Sequence, residues 1–241
     1  MTALAGNKAR ILLSGVDLSC ATSTLKVDQT VGEYDSTTLC SDVMEYRPGM
    51  SQGGISIDGY FHGVIAGEEE ALYNALNSTT KIVGAIFDYT TLPCPAYVIE
   101  NASNLGLTHS SPTDGLITMN GTFKGKEGVR RGKVMFYKTT RTNTGLTINS
   151  AQNADITTLS TGKIFCFLTG FTGTQTSNIT LAVQTSADGV TEWSTEANFS
   201  FDAKDGKSAI LTTPAGPYFG VNVTSLGGTT GITFTIIVVK D

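Results

Sequence analysis

The chain has 241 residues, 40% of them hydrophobic and 15% charged, and its 16 basic and 21 acidic residues leave a net charge of −5. That length can hold one large or two ordinary domains with proper cores, while the mild acidity is unsuited to gripping a duplex, which takes clustered Lys and Arg on phosphates. No apolar run reaches the roughly 20 residues of a membrane helix, and the opening MTALAGNKARILLSG lacks a signal peptide's layout because its basic residues follow the small apolar patch.

The 27 glycines, with abundant Thr and Ser, predict many strands joined by tight turns. In the first region the pattern predicts strands at 10–13, 22–29, 54–61, 80–89, 94–102, 115–124 and 132–137. Between the second and third of these, residues 37–54 read as a long polar connection, with turn signals at Arg47-Pro48-Gly49 and Gly53-Gly54. It delivers the chain into the alternating Ile55-Ser56-Ile57-Asp58-Gly59-Tyr60-Phe61. A helix is expected over 67–76, where Glu68, Glu69 and Glu70 suit the positive end of the helix dipole and Leu72, Ala75 and Leu76 form one stripe. The apolar run Ile82-Val83-Gly84-Ala85-Ile86-Phe87 should be covered on both faces.

The polar, Gly-containing stretch 138–149 suits a linker, dividing the chain into domains 1–145 and 146–241. Beyond it, strands are expected at 154–159, 163–168, 178–185, 197–201, 208–213, 218–225 and 232–239, separated by turn signals such as Ala187-Asp188-Gly189 and Gly227-Gly228. Short strands at this spacing fit an immunoglobulin-like or jelly-roll sandwich, without the Cys…Trp…Cys pattern of antibody domains. The predicted fold class is therefore mainly β, with one helix.

Candidate chemistry is sparse. Cys20, Cys40, Cys94 and Cys166 form no CxxC pair and are expected as buried free thiols rather than disulfides or zinc ligands. The two histidines, His62 and His109, accompany no GxSxG nucleophile elbow. Nothing calls for a metal or cofactor, and no enzyme is expected. The basic cluster Lys124, Lys126, Arg130, Arg131 and Lys133 reads as a solvated hairpin tip or as a patch for acidic groups of a neighbouring subunit. Base-stacking aromatics do not interleave with it. Trp193 reads as a packing residue or, alternatively, as a platform for a sugar ring.

Three features together resemble the tail tube (major tail) proteins of long-tailed bacteriophages: the opening ILLSGVDLSCATSTLKVDQTVGEYDSTT, the passage RPGMSQGG into ISIDGYFHG, and the helix GEEEALYNAL before KIVGAIFDY. The resemblance covers about residues 1–140. The second region is similar to the accessory immunoglobulin-like domains that some such proteins carry. The resemblance implies a tail-tube β-sandwich or barrel subunit whose copies close into a ring, expected to be a hexamer, and stack head-to-tail into a tube. DNA would pass through the lumen without specific binding, and residues 37–54 would be the arm between rings, with Tyr46, Arg47, Pro48, Met50 and Gln52 making the axial contact. Tape measure, tail terminator and distal tail proteins would be its partners, in a virion tail made in a bacterial host's cytoplasm. A carbohydrate-binding module using Trp193, or another virion part such as a decoration or neck protein, is the competing expectation.

Overall fold

The computed structural model describes residues 8–36, 43, 44, 46–61, 67–76, 78–149, 162–211 and 216–240. In chain order these form β1 (Arg10–Leu13), β2 (Val16–Asp17), β3 (Thr22–Asp35), β4 (Tyr46–Tyr60), α1 (Glu68–Asn74), β5 (Lys81–Ile86), β6 (Cys94–Ser110), β7 (Thr118–Gly125) and β8 (Arg130–Arg141). There follow β9 (Gly145–Asn149), β10 (Gly162–Thr172), β11 (Ile179–Ser186), β12 (Ser194–Phe201), β13 (Asp205–Leu211), β14 (Tyr218–Leu226) and β15 (Gly231–Lys240). The fold is mainly β, as its alternating sequence predicts.

Eleven strands share one antiparallel sheet. Its main path runs β13-β10-β15-β8-β6-β5-β1-β2, and a branch leaves β6 through β7 and β4 to β3. The branch arises because β6 serves two neighbours in succession along one flank. Its first half pairs with β8 (Cys94↔Val134 to Val98↔Arg130) and its second half with β7 (Ala102↔Gly125 to Ser110↔Thr118). Strands β7 and β8 thus lie end to end, interrupted by the turn at 126–129, and are not the hairpin expected around the basic cluster. On the opposite flank β5 pairs from Ala96 to Ala102.

Three cores follow from the alternation of side chains. Along β5, Val83 and Ala85 join a core with Leu72 and Ala75 of the α1 region and with Ile55, Ile57 and Phe123, whereas Ile82 and Ile86 face a second core with Phe165 and Phe167 of β10. Both faces of that apolar run are therefore covered, as expected. Along β10 the complementary set, Ile164, Cys166 and Leu168, faces a third core against Leu181, Val183, Phe199, Phe219 and Val221 of the small sheet β12-β11-β14-β9. The path rolls up so far that its ends meet: a Cβ added to Gly206 in β13 would lie 3.1 Å from Ser14 Cα in the β1–β2 turn.

Residues 138–149 are not a linker. Lys133 to Arg141 pairs with β15, and Gly145 to Asn149 pairs with β14 of the small sheet, so a short turn at 142–144 carries the chain from one layer to the other. The division at 145/146 falls at this corner, and the β15–β8 ladder carries the large sheet across it. The expected strand 154–159 lies outside the described residues.

An ion cluster spans the mouth of the roll. Lys163 Nζ on β10 donates to Glu100 Oε2 on β6 at 2.5 Å and to Glu127 Oε2 at 3.2 Å, while Arg130 donates to Glu127 at 2.7 Å. Ser208 Oγ on β13 donates to the other oxygen of Glu100. Burial raises the Glu100 carboxyl's pKa, but the bonds from Lys163 and Ser208 outweigh it and hold the group below its ordinary value. The same bond to Glu100 raises Lys163, against the opposing effect of burial.

Because Glu100 is depressed in the folded state, its contribution is complete above the unfolded carboxylate pKa, about 4.3, and is lost as pH falls through the lower folded value. Glu100→Gln should therefore flatten the acid limb of stability: urea midpoints of the two proteins between pH 3 and 7 should differ most at neutral pH and converge at the acid end. A constant offset would contradict the clamp. Gly59 supplies a second test. A Cβ there would lie 2.0 Å from Ala21 O, so the backbone at 21 crosses β4 where only hydrogen fits. Gly59→Ala should cost about 1–3 kcal/mol, as overpacked sites do, measured by denaturant unfolding.

Candidate functional site

The branch sheet β3-β4-β7-β6 has one face on the core and one in the open. Cross-strand rows define the inner face: Leu25, Ile57, Gly121 and Leu107 in one row, Val27, Ile55, Phe123 and Asn104 in the next. These pack on Leu72 of α1, which is fully buried. The outer face consists of Thr24, Asp58, Asn120 and Thr108 in one row and Lys26, Ser56 and Thr122 in the next, with Asp28 and Lys124 beyond them. Apart from Tyr60 at its end, which is 44% exposed, it is polar, in the manner of an antiparallel sheet wetted on one side. Its charges balance, Lys26 and Lys124 against Asp28 and Asp58, and Lys26 Nζ lies 3.1 Å from Asp28 Oδ1.

Asn104 is the buried polar hinge of this sheet. Its Nδ2 donates to Leu72 O at 3.0 Å, and its Oδ1 accepts from Thr122 N at 3.1 Å and Gly106 N at 3.3 Å. The side chain ties α1 to the sheet and fixes the register shift between Asn104 and Leu107 against β7. In sequence it is one Asn among many polar strand residues, and only its place on the inner face of the alternation distinguishes it.

Beyond the wall the two longest partners continue as a hairpin. β4 pairs with β7 only from Ile55 to Tyr60, whereas its pairing with β3 runs from Gly59 back to Tyr46. The expected loop 37–54 is thus corrected over 46–54, which is strand. Residues 37–42 and 45 lie outside the described residues. The turn-forming residues have other uses here. Pro48 stands beside a register shift between Val31 and Glu33, in a stretch whose far flank has no strand partner among the described residues, and such edge and bulge positions tolerate proline. Gly53 is pressed against the turn at 126–129, where a Cβ would lie 2.8 Å from Val129 Cγ2. Gln29 Nε2 donates to Val129 O at 2.5 Å, anchoring the hairpin's root.

Of the residues predicted for an axial contact, Tyr46, Arg47, Pro48 and Met50 belong to this outer half of β4, and their side chains lie outside those described. Gln52 is exposed opposite Thr30. Around them Val31 is 55% exposed, and Val43 and Met44 beyond the hairpin strands are 71% and 70% exposed.

The basic cluster is distributed over several elements. Lys124 belongs to the polar face, Lys126 to the turn, Arg130 to the Glu127 pair, and Arg131 and Lys133 to β8 opposite Tyr97 and Pro95. Trp193 is half-buried, its indole edge against Gly220, where a Cβ would lie 2.8 Å from Cζ3. His109 Nε2 lies 3.7 Å from Glu69 Oε1, and its ring meets Phe61 edge-on at 5.6 Å. His62 and Cys40 lie outside the described residues. Cys94 and Cys166 are buried thiols, and burial pushes Cys94 up to about 11. Cys20, expected inside, is exposed because it sits in the turn before β3 rather than on a strand.

No family model and no curated protein matches the chain. Solved structures do. The sheath/tube terminator of an extracellular contractile injection system aligns with 54% of this chain and 97% of its own, at 11% identity and a TM-score of 0.46. The SPP1 tail tube aligns with 54% of this chain and 78% of its own, at 14% identity and a TM-score of 0.44. The SPP1 Dit protein, described as a hub of the adsorption apparatus in phages infecting Gram-positive bacteria, aligns with 96% of this chain and 98% of its own, at 12% identity and a TM-score of 0.33.

Proposed function

We propose that this chain is a structural, non-catalytic subunit of a phage tail, whose copies close into rings and stack as a tube for DNA delivery. The observation that supports this reading best is the branch sheet. One face is sealed by core and helix, the other is polar, exposed and charge-balanced, and a hairpin projects from it along the strand direction. In a ring of six, four strands from each copy would make a wall of about 24 strands, beyond the 16–18 that already leave an aqueous channel. The outer row Thr24, Asp58, Asn120 and Thr108 would then line the lumen. Paired charges and hydroxyls there offer phosphates no net attraction, so DNA could move without being held.

The hairpin is the candidate for contact between rings. Its Val31 and the neighbouring Val43 and Met44 are apolar side chains exposed on the subunit. Strands β9 to β15 would form the accessory domain of immunoglobulin-like type, attached through the β15–β8 ladder.

Electron microscopy of purified protein tests the whole reading: rings or tubes are expected, and a stable monomer retained on a glycan column would overturn it in favour of the Trp193 alternative. The axial role is tested by removing residues 30–52 and joining Gln29 to Gly53 through Asn-Gly, a strong two-residue hairpin turn. Rings should persist while tube growth fails. Normal tubes from the trimmed protein would refute the axial contact.

A further inference from the structure

The small sheet β12-β11-β14-β9 carries a second polar face, turned away from its core and different in kind from that of the branch sheet. Ile148, Gly220 and Gln184 stand opposite one another in one row, and Asn222, Ala182 and Asn198 in the next. Ile148 is 44% exposed and Asn198 is exposed, while Asn222 and Gln184 are half-buried. Thr180 and Thr224 continue the face, their hydroxyls 2.6 Å apart. None of these residues is charged, whereas Lys26, Asp28, Asp58 and Lys124 all belong to the outer face of the branch sheet.

Trp193 stands on this uncharged face. The benzo edge of its indole takes the space that a side chain would occupy at Gly220, with Cζ3 2.8 Å and Cε3 3.2 Å from a Cβ placed there, and Leu146 Cδ1 borders the same space at 2.8 Å. The loop before the ring is pinned. The Asp188 carboxylate accepts from Val190 N at 2.9 Å, Thr191 N at 2.8 Å and the Thr191 hydroxyl at 2.6 Å, and Gly189 is pressed on the Tyr218 ring. A platform fixed in advance spares a ligand part of the ordering cost of binding. No hydrogen bond among the described residues accounts for an indole here in place of a phenyl ring: its Nε1 is buried without a partner, a state that buried donors rarely occupy.

We infer that this face binds a neutral polysaccharide, with Trp193 packing on the apolar face of a pyranose ring and the amides of Asn222, Gln184 and Asn198 meeting its hydroxyls. A pyranose turns C–H groups outward from its ring, and these suit the π surface of an aromatic side chain. Its hydroxyls both donate and accept, and an Asn or Gln amide is the neutral side chain that does the same. Gln184 is already oriented, since its Nε2 donates to Thr195 Oγ1 at 3.1 Å. A face without charge exerts no pull on phosphates or on a charged protein surface, and covering it with a neutral ligand strips water from no ion. Such a site goes beyond tube formation and is available in the single subunit.

Trp193 is the one tryptophan of the chain, so emission from the full-length protein reports on this face alone. Titrated separately with hydroxyethyl cellulose, galactomannan and dextran, all soluble and neutral, the emission should shift to the blue with at least one of them, and the indole should become less accessible to acrylamide. Asn222→Ala and Asn198→Ala should each weaken that binding about three- to tenfold, the worth of one neutral hydrogen bond, without moving the urea midpoint. Trp193→Phe, followed by affinity electrophoresis in the same polysaccharide, should weaken it at least tenfold. No response to any of the three polysaccharides would overturn the assignment, as would binding confined to a charged polymer such as alginate and abolished by salt. An emission shift that follows protein concentration with no polysaccharide present would give the face to a contact between copies instead. Binding left unchanged by all three variants would put the sugar elsewhere on the molecule, and each of these results is legible whether or not rings form.

Discussion

Strand β6 has to satisfy backbone groups on both flanks over 17 residues, and it does so by changing partners partway. Over its first half it lies between β8 and β5, inside the roll, and its side chains alternate between two buried cores. After Ala102 the β5 flank is vacated, and a buried backbone cannot be left there unpaired without a cost of about 1–3 kcal/mol per group. Asn104 N meets that demand by donating to Ala75 O, and the Ser103 hydroxyl adds a bond to Ser78 O in the segment after α1. The seven-residue helix is thus less an independent element than a cap over the point where β6 leaves the roll. Everything that distinguishes the branch sheet begins at that departure: its single wetted face, its separation from the C-terminal strands, and the open flank beyond Leu105.

Much of this was legible from local alternation. β1 lies where the pattern placed it, the buried run of β5 is covered on both sides, and Ile55-Ser56-Ile57-Asp58 shows in four letters which face of β4 is dry. What misled was composition. Arg47-Pro48-Gly49 and Gly53-Gly54 look like turn chemistry, yet they sit in a strand because one flank is open, a bulge accommodates Pro48, and the glycines answer close approaches to Val129 and Phe123. The Thr-rich stretch at 138–149 resembles a linker for a related reason: partly exposed side chains need not be apolar, while the backbone on either side of the 142–144 turn is engaged in two sheets. Strand propensity reflects such context more than it reflects the residue.

The interactions farthest from view in the sequence are those with long separations. Lys163 and Glu100 stand 63 positions apart, and Ser208 and Glu100 stand 108 apart. No periodicity announces them, because each charge is an isolated polar position on its own strand until the roll closes. The same holds for Asn104, whose importance comes from facing inward at a register shift. Polar residues on the dry side of an alternating strand are the signal that could have found it, since burial obliges such groups to find partners.

The treatment of edges ties the fold to its use. In the roll, the ends of the path are guarded: β13 closes against the β1–β2 turn so tightly that a Cβ on Gly15 would strike the backbone at Lys204. Exposed edges invite unwanted pairing, and proteins shorten, bend or cover them. Among the described residues β3 receives little of that protection over most of its length. It is long, it carries no proline, and among the described residues its outer flank meets no other strand. The polar face is open too. A monomer could equally well have buried that face under a second layer, as it does with the small sheet over β10 and β15. On the reading proposed above, it stays wet and charge-balanced because it faces the lumen of the tube.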